Sequence, residues 1–172
     1  MKTFIIVLSI IISQSVMARI CSDFIPDEWS DSRYVIETIS TDNVVTDNRT
    51  GLMWKQCSEG LSGTGCMVGV ASKHPWNEAL GLPANINNTG YAGFNDWRIP
   101  NIEELRSISV NNCYNPAVNE TAFPNTPSVG YWSSSPDAYF GTNSWYVSFN
   151  IASVNAITRG FNNHVRLVRS GR

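Results

Sequence analysis

No acidic residue follows Asp137, although Arg159, Arg166, Arg169 and Arg172 all lie beyond it. Histidine is scarce, with only His74 and His164, and cysteine stops at Cys113. Two histidines and four widely spaced cysteines do not make a zinc framework. Neither histidine stands in a recognised serine or cysteine nucleophile motif. Basic residues are few as well: with Lys2 set aside there are eleven against fourteen acids, a net charge of −3 that argues against a nucleic-acid binder. There is no internal repeat, low-complexity tract or linker, so the chain reads as one domain with enough length for a proper core.

Outside its N-terminus the chain has no stretch apolar enough to cross a bilayer. Residues 1–18 instead read as a signal peptide. Lys2 supplies the positive charge, Phe4 to Ile12 are apolar apart from Ser9, and Val16 and Ala18 precede a cut before Arg19. Cys21 is a poor lipidation site, because Ala18-Arg19-Ile20 lacks the small residues such a site needs. The reading is an exported protein (periplasmic, on the outer surface or secreted), with residues 19–33 as a polar N-terminal arm and 34–172 as the domain.

Four cysteines in an oxidising compartment favour two disulfides, for which three pairings exist. Cys57 and Cys66 bound a short loop containing Gly60, Gly63 and Gly65 and are expected to pair, which leaves Cys21 with Cys113. Short strands are expected around 34–36, 44–45, 52–54, 131–132, 145–149 and 165–169, where apolar and β-branched residues sit between turn signals. Pro75 suits the first position of a helix carrying Trp76, Ala79 and Leu80, which Gly81 and Pro83 are expected to cut short. A second helix starts after Pro100. Asn101 is its N-cap, Glu104 is placed to reach back to the cap amide, and Ile102, Leu105 and Ile108 share a buried face. Two short helices packed on antiparallel sheets with long loops give an α+β fold.

The stretch 90–109, GYAGFNDWRIPNIEELRSIS, resembles the central motif of the C-terminal domain of Legionella collagen-like adhesins (Lcl). TDNRTGLMW followed by a cysteine-bounded loop is a second point of resemblance. WRIPNIEEL and HVRLVR are also similar to the helix entry and closing strand of the formylglycine-generating-enzyme superfamily. The resemblance implies a C-type-lectin-like fold, and a non-enzymatic recognition or adhesion module that binds glycans or other acidic surface polymers. The superfamily's oxidase chemistry does not carry over, since no cysteine follows Cys113, and the chain lacks the Gly-X-Y stalk of the adhesins. The alternatives are an enzyme of unknown chemistry on the same fold, or a structural subunit of a surface appendage.

The candidate ligand-binding residues are Arg159, His164, Arg166 and Arg169 in the basic C-terminal segment, whose guanidinium forks suit sulfates or phosphates. The competing expectation is that Arg166 and Arg169 pair inside the domain with its acidic N-terminal half. Trp29 is the candidate surface platform, while Trp54, Trp97, Trp132 and Trp145 are expected in the core. Asp42, Asp47 and Asn48, and separately Asn95 and Asp96, are the oxygens a calcium ion would use, but neither cluster has the dense acids of a dedicated loop. They read as turn-formers, with no cofactor expected, and no catalytic residues are assigned.

Overall fold

The computed structural model describes residues 19–24, 26 and 29–171. The expected signal peptide, the acids Asp27 and Glu28, and Arg172 lie outside the described residues. The strands are β1 (Ile20–Cys21), β2 (Tyr34–Ile39), β3 (Asp42–Asp47), β4 (Leu52–Lys55), β5 (Leu61–Ser62), β6 (Val68–Gly69), β7 (Cys113–Tyr114), β8 (Gly130–Pro136), β9 (Asn143–Ser148), β10 (Ser153–Thr158) and β11 (Val168–Ser170). Two helices, α1 (Trp76–Thr89) and α2 (Ile102–Ser107), lie between β6 and β7. The architecture is α+β.

A four-stranded antiparallel sheet has the order β11-β4-β3-β2, and a three-stranded one the order β10-β9-β8. Side chains alternate across a strand, and here both faces of the second sheet are covered. Tyr131, Val147 and Phe149 join one apolar core with Trp54, Leu105, Ile108 and Phe123. Trp132 joins another with Trp76, Trp97, Val165 and Leu167. The segment entering β11 runs between these two cores, so neither of its faces points to water.

The α2 entry forms as its sequence requires. Asn101 accepts a hydrogen bond from the Glu104 amide at 2.9 Å, and the Glu104 carboxylate accepts one from the Asn101 amide at 2.8 Å. Leu105 and Ile108 are fully buried. Glu104 does more than cap: its carboxylate also takes both Nη atoms of Arg98, at 2.7 and 2.6 Å.

Helix α1 corrects the expectation of a short helix. It spans 14 residues and continues through Pro83, with Pro75 as its N-cap rather than its first helical residue. An interior proline forfeits one backbone bond and costs about 3 kcal/mol. Trp76, Ala79 and Pro83 nevertheless share a buried stripe, with Leu82 and Ile86 packed beside it. The far end is pinned by Asn87, whose amide exchanges two hydrogen bonds with the Trp97 backbone at 2.8 and 2.9 Å. Burial and anchoring outweigh the local penalty.

Both expected disulfides are present, Cys21–Cys113 and Cys57–Cys66. The first seals β1 against β7. The second closes the loop that holds β5 against β6, where Gly60 and Gly69 lie so close that a Cβ on Gly69 would sit 2.2 Å from the Gly60 carbonyl oxygen. Trp54, Trp97 and Trp132 are buried as expected, but Trp145 is only half-buried.

Candidate functional site

The C-terminal cations are mostly internal, which corrects the expectation of a basic surface there. Arg166 is wholly buried. Its Nη1 donates to the carbonyls of Lys55 and Gln56, and its Nη2 donates to Ser58 Oγ at 3.1 Å and Thr126 Oγ1 at 2.7 Å. These partners are neutral oxygens, not the acids of the N-terminal half. Burial pushes the guanidinium pKa down, and the neighbouring Tyr131 and Glu59 oppose that shift. Arg169 is buried too, with Nε 2.6 Å from Asp96 Oδ1 and its guanidinium over the Phe94 ring. Its partner comes from the turn before Trp97. His164 is buried against Tyr131, and its pKa falls to about 4 through burial and the charge of Lys73. Among the described C-terminal cations only Arg159 is partly exposed, with its guanidinium over the Trp76 ring and its Nε donating to Asn143 O and Ser144 Oγ.

Trp29 is likewise buried rather than a free platform. Its Nε1 donates to the Ser107 carbonyl at 2.8 Å, and it packs with Val110 and Cys113. The three carboxylates among the calcium-type residues are already committed to protein donors. Asp42 accepts from the Ala92 amide, Asp96 from Arg169, and Asp47 from Arg33, Thr50 and the Arg49 amide. Among the described residues no three His, Cys, Asp or Glu side chains are grouped as a metal site.

Two exposed arginines, Arg49 and Arg106, come together elsewhere. Trp29, Arg33, Arg49, Thr50, Glu103, Arg106, Ser107 and Asn111 line a cleft of about 300 Å³ where the N-terminal arm, the β3–β4 turn and α2 meet. Arg33 is its fixed wall. It forms a two-pronged pair with Asp47 at 2.7 and 2.6 Å and also donates to Ser107 O at 2.9 Å. Burial would raise the Asp47 pKa, but the hydrogen bonds from Arg33, Thr50 and the Arg49 amide outweigh it and hold the carboxyl below its ordinary value. Arg49 and Arg106 are exposed on the rim. Glu103, the one carboxylate among the described lining residues, stands 3.9 Å from Arg106 in an open pair of the kind that contributes little. The sequence hid this cleft because its arginines come from three distant segments, each flanked by acids.

A second arrangement has the outline of an enzyme. His74 Nε2 is 2.9 Å from Ser72 Oγ, and His74 Nδ1 is 3.8 Å from Glu78 Oε2. The outer distance is too long for a hydrogen bond, and the Glu78 side chain is 68% exposed, so it cannot fix the imidazole. The Ser72 amide is spent on the Glu59 carbonyl and is not an oxyanion donor.

The described residues thus form a disulfide-tied α+β domain whose C-terminal arginines mostly turn inward, with an arginine-rimmed cleft at the surface. Its family is defined by sequence: residues 43–169 match the Lcl C-terminal domain, and the chain belongs to that family. No match is found among curated proteins.

Proposed function

We propose that this chain is an exported, non-enzymatic recognition or adhesion module of C-type-lectin-like fold, and that it takes acidic glycans or similar surface polymers at the arginine cleft. The observation that carries the reading is the placement of Arg49 and Arg106 on the open rim with the paired Arg33 behind them. Guanidinium forks at an exposed rim suit sulfate or phosphate groups, and a fixed inner arginine supplies position without needing to move. Membership of the Lcl C-terminal domain family supports the same reading.

Heparin retention at low ionic strength tests it. Arg49→Ala and Arg106→Ala are each expected to elute at lower salt than wild type with melting curves unchanged, because exposed charges are screened by salt and add little to stability. Wild-type protein that flows through the column at low salt would end the proposal. The enzyme reading is tested separately by nitrophenyl-ester hydrolysis. Turnover that Ser72→Ala abolishes would replace recognition by catalysis.

A further inference from the structure

At one end of the three-stranded sheet, three aromatic rings stand in solvent. Tyr139 is 93% exposed, Phe140 65% and Phe161 57%. Two adjacent turns hold them. In the β8–β9 turn the Asn143 amide donates to Phe140 O and the Tyr139 amide to Asp137 Oδ1. In the turn after β10 the Phe161 amide donates to Thr158 O. The Arg159 amide then donates to Thr142 O at 2.9 Å, which ties the two turns side by side. These rings are therefore displayed on pinned backbone.

We propose that this end of the sheet is a lipid-contact surface, whose rings enter the interfacial layer of a bilayer. Three features favour lipid as the occupant. Two of the rings are phenylalanines, which offer an apolar surface and no polar handle. The two turns stand side by side at one end of the β9–β10 pair, so their rings can meet the same surface. Finally, residues 138–158 contain no Asp, Glu, Lys, Arg or His, so the segment bearing two of the rings can leave water without stripping a charge. Arg159 stands at the base of these turns, with its guanidinium over the Trp76 ring. With Asp137 buried beside the turn, the charges there come near balance. Attraction is accordingly driven by the rings and not by lipid charge.

Such contact is weaker than that of a myristoyl chain, which binds with a constant of about 10⁴ M⁻¹. It acts alongside the cleft, not in place of it. Vesicle co-sedimentation at millimolar lipid tests the proposal, using the chain from Arg19 onward, which contains every described element and omits the apolar leader. Binding to phosphatidylcholine vesicles is expected to match binding to phosphatidylethanolamine–phosphatidylglycerol vesicles and to persist at high salt. The Phe140→Ala/Phe161→Ala double variant is expected to lose about tenfold in partitioning. Both rings are exposed, so its melting curve should overlay that of wild type. Arg49→Ala should sediment like wild type, which keeps this test independent of the glycan cleft. Absence of sedimentation, dependence on phosphatidylglycerol and low salt, or full binding by the double variant would each overturn the proposal. So would loss of binding to insoluble cellulose or chitin by the double variant without any vesicle binding, which would make the rings a sugar platform.

Discussion

Replacing Arg166 tests the central claim that the C-terminal arginines serve the interior. The guanidinium is fully buried, fixes the Lys55 and Gln56 carbonyls at the end of β4, and reaches Ser58 and Thr126 on the other side. It also lies 4.8 Å from the centre of the Phe123 ring. Arg166→Ala therefore leaves four acceptors without their donor and opens a void between the two cores. Charged hydrogen bonds contribute about 1.5–3 kcal/mol each, but they share one side chain and do not add. Unsatisfied buried acceptors cost about 1–3 kcal/mol and an emptied core position about 2–5 kcal/mol, so about 3–5 kcal/mol is the expected effect here. A domain of this size has about 5–15 kcal/mol in total, so the change is a large fraction of its stability. At about 2–4 °C per kcal/mol, the melting temperature should fall by roughly 6–20 °C. Arg166→Met separates the two contributions, since it refills much of the volume and restores no donor. It should recover part of the loss and not all. Urea melts of the three proteins decide the matter. Variants within about 0.5 kcal/mol of wild type, the range of an ordinary surface change, would refute the buried assignment. Unchanged melts with lost heparin retention would return Arg166 to the surface.

Other outcomes follow from the same geometry. Asn101→Ala should destabilise by about 1 kcal/mol through the lost cap, and Leu105→Ala by about 2–5 kcal/mol through an emptied core position, both read in denaturant melts. The Cys57→Ser/Cys66→Ser variant should lose about 2–3 kcal/mol, and peptide mapping of unreduced wild type should return the same two pairings seen here. His164 has a folded-state pKa of about 4, below its ordinary 6.5, so the unfolded chain binds the extra proton across that window. Stability should therefore fall as pH drops from 6.5 towards 4, and His164→Gln should flatten that part of the pH profile in thermal melts. Asp47, held below its ordinary 3.8, contributes stability that is present above that value and lost as pH falls through its folded pKa; Asp47→Asn should remove this acid limb.

The features that local pattern controls were legible in the sequence. The α2 cap needs only Asn101 and Glu104 three residues apart, and the Cys57–Cys66 loop needs only its glycines and short span. What failed were inferences that depended on which faces are covered. HVRLVR reads as a strand with arginines on an outward side, yet Val165 and Leu167 pack into one core while Arg166 and Val168 turn to the other. A strand buried on both faces has no outward side, and alternation cannot report that. Helix α1 ran past Gly81 and Pro83 because its stripe is buried and Asn87 anchors its end, facts held by residues far from the breakers. Strand β10 carried no recognised signal. Its SVNAIT sequence has neither an apolar run nor a clean alternation, and it forms by pairing all six residues with β9.

The Cys21–Cys113 bridge bears on how the domain would carry a mechanical load. Every residue lining the arginine cleft, from Trp29 to Asn111, lies inside the covalent loop that this bridge closes. If the protein is held through its N-terminus at Arg19 while a ligand is pulled in the cleft, tension meets the short β1–β7 pairing and the bridge within it before any other strand pairing. From there it divides, one path running from Cys21 forward to Trp29 and Arg33, the other from Cys113 back to Asn111, Ser107 and Arg106. Both walls of the cleft are thus tethered close to the point of pull, and residues 114–171 stay out of the line of force. A reduced bridge would leave the whole tension on the thin arm after Cys21, so grip under flow should depend on oxidation far more than affinity at rest does.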